Sequence, residues 1–119
     1  MSIEWISHNN KKILYIRYSG LDTKDASEQI LKATQILVDT KNKNNLTLSD
    51  LRDIYIDQDF INLSKEQGKI SKNYTKKAAV IGVEGVKKLF LKTVNTMSEN
   101  PRVPFSTLEE AKEWLTRED

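Results

Sequence analysis

The sequence predicts a single α/β domain, spanning residues 1–119, whose open sheet is mixed but mostly parallel. Segments rich in β-branched and aromatic residues alternate along the chain with segments whose apolar residues recur every three or four positions. The run over 78–83 is continuously apolar, which is typical of a parallel strand covered on both faces. The 119 residues suffice for one core, and no linker or repeat interrupts them.

Four elements are predicted in the first half of the chain: strands over 3–7 and 13–18, a helix within 22–41 and a strand over 46–50. The first two strands flank a polar stretch and form a hairpin. Asp25 and Glu28 are spaced as a variant of the capping box at the start of the helix. An Asn- and Lys-rich stretch then ends that helix.

Five elements are predicted in the second half: a helix over 57–74, a strand over 78–83, a helix from 86 to 100, a strand over 102–105 and a helix from 107. Pro101 ends the middle helix because the residue before a proline avoids helical angles. Pro104 confines the last strand to an edge of the sheet, and Thr107 and Glu110 form a capping box. The order is ββαβαβαβα, with the last four strands parallel through right-handed crossovers.

Composition and charge exclude several classes of function. Without cysteine, and with His8 as the one histidine, neither a nucleophile with its base nor a metal site can be assembled, so an enzyme is the least favoured class. The 19 basic and 17 acidic residues are spread along the chain, which does not indicate nucleic-acid binding. No apolar run approaches the roughly 18 residues of a membrane-spanning helix, and the first residues do not resemble a signal peptide, so a cytoplasmic location is predicted.

Four motifs point to a known superfamily. They are the leading hairpin, the strand end Leu48-Ser49-Asp50, the strand 79–83 that runs into a Val-Lys-Lys-Leu helix, and the closing segment Pro-Phe-x-Thr-x-Glu-Glu-Ala-x-x-Trp-Leu over 104–115. Together they resemble the bacterial SpoIIAA-like, or STAS/SEC14-like, small proteins over nearly the whole chain. This resemblance implies an open sheet with helices and no chemistry of its own.

The phosphorylation switch of that superfamily is not carried over by the resemblance. In its anti-sigma-factor antagonists, a serine in an Asp-Ser-Ser-Gly-like motif after the matching strand is phosphorylated to switch partner binding. Here the helix opens with Ile56-Asp57-Gln58-Asp59-Phe60, and the acceptor serine is missing. Asp57 and Asp59 could supply a fixed negative charge at that position, but an ordinary N-cap is the favoured interpretation.

Three further patterns are interpreted as structural. The turn Gly82-Val83-Glu84-Gly85 lacks the third glycine of a dinucleotide fingerprint, and its glutamate would repel a phosphate. Trp5 and Trp114 are predicted to lie in the core. A solvated helical face is predicted for Lys65, Lys69, Lys72 and Lys76.

The candidate functional surface is the edge at which the strand-end loops meet. The loops after parallel strands gather at one edge, so 20–22, 50–53 and 82–85 should lie together. The residues predicted to form a partner surface there are Asp50, Arg52, Asp53, Asp57 and Glu84. They would give it an acidic, hydrogen-bonding character, with Arg52 either as an anchor or as an internal ion-pair partner.

Two functions remain open at this point, and neither requires a catalytic, cofactor-binding or metal-binding residue. The first is a non-enzymatic regulatory or protein-interaction module of the STAS-like type, whose partner is another protein or a second copy of the chain. The second is a carrier of a small apolar ligand or lipid, which the SEC14-like side of the resemblance implies. A wide apolar face on the third helix also favours the carrier; it comprises Val86, Leu89, Phe90, Leu91 and Val94.

Overall fold

The computed structural model describes residues 2–85, 87–95 and 101–118. Its elements are β1 (Ser2–His8), β2 (Lys11–Arg17), α1 (Thr23–Thr40), β3 (Asn45–Asp50), α2 (Gln58–Ser71), a 3-10 turn (Lys72–Tyr74), β4 (Thr75–Ile81), α3 (Lys87–Asn95), β5 (Arg102–Phe105) and α4 (Leu108–Thr116). The predicted order ββαβαβαβα is confirmed. Within the described ranges, no helix is long and apolar enough to cross a membrane.

The five strands form one sheet in the order β1-β2-β3-β4-β5. Strand β1 is antiparallel to β2, and all the other neighbours are parallel, so the predicted mixed and mostly parallel sheet is confirmed. Strand β5 lies at one edge of the sheet. Pro104 has no backbone N–H to donate, and an edge strand tolerates this because it has a neighbouring strand on one side only. The carboxyl ends of β2, β3 and β4 therefore lie side by side.

Helices cover both faces of the sheet, and each face has its own apolar cluster. Helix α4 packs on one face, where Ala111 and Leu115 contact side chains of β2, β3 and β4. Helices α1, α2 and α3 pack on the other face around Phe60 and Leu91. Because successive side chains of a strand point to opposite faces, Leu46 and Leu48 of β3 belong to the α4 face.

Two of the predicted local features are wrong. Helix α1 begins after Asp22, whose carboxylate accepts a hydrogen bond of 2.8 Å from the Asp25 N–H, so Asp25 and Glu28 do not form the cap. Asp22 can cap because its own backbone is extended, as an N-cap requires. Strand β4 begins three residues earlier than predicted and ends at Ile81, because Gly82 turns the chain with φ +84°.

Neither tryptophan is fully buried, contrary to the prediction. Trp5 is 41% exposed because β1 is an edge strand with a neighbour on one side. Trp114 is half-buried at the margin of α4, where its ring lies 5.4 Å from that of Phe105. The core is built instead from smaller aliphatic side chains together with Phe60, Tyr15 and Tyr18.

Candidate functional site

Backbone hydrogen bonds hold the three strand-end loops together. The Tyr18 N–H donates to the Asp50 carbonyl at 3.0 Å, and the Gly20 N–H donates to the Asp53 carbonyl at 3.1 Å. The Leu51 N–H donates to the Ile81 carbonyl at 2.9 Å. The loops after β2, β3 and β4 thus form one continuous surface at this edge of the sheet.

Gly82 is required by the close approach of two of these loops. It has φ +84°, and a Cβ placed on it would lie 2.5 Å from Arg52 N and 2.8 Å from Leu51 C. A side chain at this position would therefore collide with backbone atoms that cannot move independently. This contact gives the glycine a packing role and supports the interpretation of 82–85 as a plain turn.

Asp50 lies at the centre of a buried polar network beneath the surface. Its side chain is 1% exposed, and its carboxylate accepts hydrogen bonds from Tyr15 Oη at 2.7 Å and from the Arg52 backbone N–H at 3.1 Å. The Arg52 guanidinium donates to both carboxylate oxygens, from Nε at 3.0 Å and from Nη2 at 2.7 Å. Arg52 is therefore the internal ion-pair partner, although 54% of its side chain stays exposed.

The network fixes the protonation state of Asp50. Burial alone would raise the pKa of Asp50, but the hydrogen bonds from Arg52 and Tyr15 outweigh burial and hold this pKa below its ordinary value. Burial, together with the hydrogen bond to Asp50, raises the pKa of Tyr15. Asp50 is thus ionised and fully hydrogen-bonded at neutral pH, which suits a structural role and not proton transfer.

Two of the five predicted surface residues have structural roles instead: Asp50 is buried, and Asp57 caps a helix. Asp50 cannot reach a partner because it is enclosed by Tyr15 and Arg52. Asp57 is the N-cap of α2, and its carboxylate accepts a hydrogen bond of 2.8 Å from the Phe60 N–H. The first four N–H groups of a helix lack intrahelical partners, and an aspartate directly before them can accept from one, so the N-cap interpretation of Asp57 is confirmed.

The other three predicted residues, Arg52, Asp53 and Glu84, line an open groove at the strand ends. The remaining polar and aromatic residues of this groove were not among the predicted surface residues; they are Tyr55, Lys87, Lys88, Lys92, Asn95, Phe105 and Ser106. Their charges make the groove mixed, not acidic as predicted. The basic start of α3 directly after the turn at 82–85 is a signal that could have placed these lysines there, whereas nothing in the sequence distinguished Tyr55.

The remaining sequence-predicted sites lie elsewhere or are not described. His8 lies at the opposite end of the sheet, with Nε2 2.7 Å from Glu113 Oε1. In the part of the chain that the structure describes, no group of three His, Cys, Asp or Glu residues could hold a metal ion. Of the apolar face predicted on the third helix, Leu91 is buried, while Val86 and the side chains of Leu89, Phe90 and Val94 lie outside the described residues.

Comparison with known proteins supports the fold. No protein-family model and no curated protein matches the chain. Among solved structures, the chain is similar to an uncharacterised protein of the DUF3478 family from Shewanella loihica PV-4, which has a SpoIIAA-like fold. The TM-score is 0.74 at 16% sequence identity, and the match covers 96% of this chain and 92% of the other. The chain thus has the SpoIIAA-like fold, which confirms the predicted resemblance at the level of the fold.

Proposed function

We propose that the protein is a non-enzymatic interaction module of the cytoplasm that binds a protein partner at its strand-end surface. We define this surface by Arg52, Asp53, Tyr55, Glu84, Lys88 and Lys92. The observation that carries the proposal is Tyr55, whose side chain is 75% exposed beside the half-exposed Arg52. Tyrosine and arginine are enriched among the residues that contribute most to protein–protein affinity.

The rest of the strand-end groove supports a protein as the ligand. Its described apolar residues lie among charged side chains of both signs; they are Ile54, Val83, Leu91, Pro104 and Phe105. An apolar centre with a polar, charged rim is the usual anatomy of a protein interface. Charges of both signs at the rim select a partner with the complementary pattern and accelerate its association.

The state of the polar groups supports a role without catalysis. The carboxylate of Asp50 is occupied by Tyr15 and Arg52, and the imidazole of His8 contacts Glu113 far from the groove. Asp57 is occupied as a helix cap, and the position after it is Gln58 and not a serine. We therefore propose an interaction that is not switched by phosphorylation at the start of α2.

The described cavity on the face of α1 and α2 does not favour a carrier of lipid, the second function that the sequence left open. The cavity on the face of α1 and α2 measures about 80 Å³. Pockets for drug-sized ligands enclose roughly 300 to 1,000 Å³, and a lipid tail needs comparable space. A cavity of this size does not accommodate such a chain.

Site-specific crosslinking tests the proposal. Two variants are expressed in separate cultures of the host. One carries a photo-reactive amino acid at position 55, and the control carries it at position 43, where Lys43 is exposed at the opposite end of β3. We expect a specific adduct from position 55 alone, and mass spectrometry then identifies the partner or shows a second copy of the chain. No adduct, or equal adducts from both positions, would contradict the proposal.

Measured affinity for the purified partner completes the test. Tyr55→Ala and Lys88→Glu should each weaken binding by about tenfold, which corresponds to about 1.4 kcal/mol. Lys43→Glu makes the same charge change as Lys88→Glu away from the surface and should leave the affinity unchanged. Equal effects of the two lysine variants would show that net charge, and not this surface, determines binding.

A further inference from the structure

The cavity between the sheet and helices α1 and α2 has an unusual distribution of charge. It measures about 80 Å³ and is partly open to solvent. Its described lining contains four basic side chains, Lys65, Lys69, Lys72 and Arg102, and no aspartate or glutamate. Three of the four lysines that the sequence assigned to a solvated face thus border a concavity. A positive cavity without acidic groups favours an anionic ligand.

Strand β3 contributes hydroxyl groups where a parallel sheet usually has aliphatic side chains. Thr47 and Ser49 face this cavity from the central strand, and Tyr18 and Ser64 line it from either side. None of these four hydroxyls forms a hydrogen bond with another described residue, and none is sealed from solvent. Burial raises the pKa of Tyr18, so its hydroxyl remains a donor. Unpaired hydroxyls at such sites normally have a water or a ligand as partner.

Arg102 supplies the charge that a ligand would neutralise. It lies at the start of β5 opposite Ala78 of β4, and its half-buried side chain lines the cavity. Asn95 of α3 fixes its backbone, because the amide accepts from the Arg102 N–H and donates to the Arg102 carbonyl, both at 2.9 Å. Among the described residues, no carboxylate pairs with the guanidinium, and burial lowers the pKa of Arg102. A poorly solvated cation that has no counter-ion among the described residues favours an anionic ligand, because an uncompensated charge is costly.

We infer that this cavity binds a small monocarboxylate with a short apolar chain. The carboxylate pairs with the Arg102 guanidinium, whose fork of donors matches two carboxylate oxygens, and accepts hydrogen bonds from the hydroxyls of β3. The chain contacts the apolar wall formed by Ile16, Leu37 and Val80. A volume of about 80 Å³ admits an acid of a few carbons and excludes a fatty acid.

Thermal unfolding of the full chain with sodium butyrate, sodium acetate, sodium phosphate and 1-butanol tests the inference at constant ionic strength. Butyrate should raise the melting temperature saturably, because a ligand that binds the native state alone stabilises it. Acetate should have a smaller effect, since it lacks most of the apolar chain. 1-Butanol should have no effect because it lacks the negative charge, and phosphate should have no effect because it lacks the apolar chain.

Arg102→Met separates specific binding from a general effect of the anion. The variant should lose the response to butyrate, while its ligand-free melting temperature stays at or above that of the wild type because an unpaired charge has been replaced. Arg17→Met removes an exposed arginine of β2 and should keep the full response. Tyr55→Ala should also keep the response to butyrate, because Tyr55 lies outside the cavity. Loss of butyrate binding and loss of partner binding can therefore be distinguished.

A second pair of variants keeps the test decisive if Arg102→Met does not fold. Thr47→Val and Ser49→Ala remove the hydroxyls of β3 and should each weaken the butyrate response without abolishing folding. The inference is overturned if millimolar butyrate leaves the wild type unchanged, or if these variants and Arg102→Met respond as the wild type does. Stabilisation by phosphate alone would also overturn it, since the site would then select a different anion.

Discussion

The two faces of the sheet are packed differently, although the same three central strands form both. On the α4 face, Leu48 and Ile81 are at most 1% exposed and contact a single nine-residue helix. On the opposite face, three helices cover the sheet, yet Thr47 and Ser49 border a cavity of about 80 Å³. The faces therefore differ both in the side chains that β3 presents and in how closely the helices pack on them. Both faces have fully buried side chains, but the face of α1 and α2 also has a described cavity with room for a ligand.

The sharpest test of this difference substitutes two adjacent residues of β3. Leu48→Ala should lower the free energy of unfolding by about 2 to 5 kcal/mol, because it removes a fully buried side chain from a closely packed cluster. Thr47→Val is nearly isosteric and should change it by less than about 1 kcal/mol, since its hydroxyl has no partner among the described residues. Urea denaturation, with m-values compared, measures both.

Equal destabilisation by these two variants would contradict the comparison, because it would show that the Thr47 hydroxyl is as closely integrated as the Leu48 side chain. Ile81→Ala provides a check on the α4 face from β4 and should resemble Leu48→Ala. Ser49→Ala provides the matching check on the cavity face and should resemble Thr47→Val.

The contrast between the faces also shows how much of the fold could be predicted from the sequence. The type and order of the elements followed from periodicity, because burial on one or two faces leaves a repeat of two or of about 3.6 residues. The alternation in Leu46-Thr47-Leu48-Ser49 correctly indicated a strand. It could not indicate that the hydroxyls border a cavity, since both faces of a parallel sheet are covered and the cavity depends on how α1 and α2 pack.

The candidate surface was predictable in position but not in composition. Parallel topology alone placed the loops after β2, β3 and β4 at one edge, where they are joined by backbone hydrogen bonds. Asp50 and Asp57 were assigned to the surface because they lie at and shortly after the end of the third strand, at this edge. The cap at Asp57 was the interpretation favoured from the sequence and is confirmed, whereas the enclosure of Asp50 by Tyr15 and Arg52 depends on distances that no local pattern contains.

The next largest effect concerns the charged network at the end of the α4 face. Arg52→Ala leaves the Asp50 carboxylate buried with Tyr15 Oη as its remaining side-chain partner, so we expect a loss of about 2 to 3 kcal/mol. This loss is smaller than for a fully enclosed pair because more than half of Arg52 is exposed to solvent. A loss below about 0.5 kcal/mol would show that the pair contributes little.

The pH dependence of unfolding gives an independent view of the same network. The pKa of Asp50 is lower in the folded protein than its ordinary value of 3.8, so its stabilising contribution is present above pH 4. This contribution is lost as the pH falls through the folded pKa, since protonation removes the charge that Arg52 and Tyr15 stabilise. The difference in stability between wild type and Asp50→Asn should therefore shrink below pH 4. A constant difference would contradict the lowered pKa.

The smallest expected effect concerns the helix start on the cavity face. Asp57 caps α2 as Thr107 caps α4 on the other face, each accepting a hydrogen bond from the N–H three residues later. Asp57→Ala should thus cost about 1 kcal/mol, similar to Thr107→Ala, whereas Asp57→Ser keeps a capping oxygen and should cost less. Because Asp57 does not line the strand-end groove, Asp57→Ser should also leave crosslinking from position 55 unchanged. If it abolished the adduct while the melting temperature stayed constant, the charge of Asp57, and not its capping bond, would be what the partner recognises.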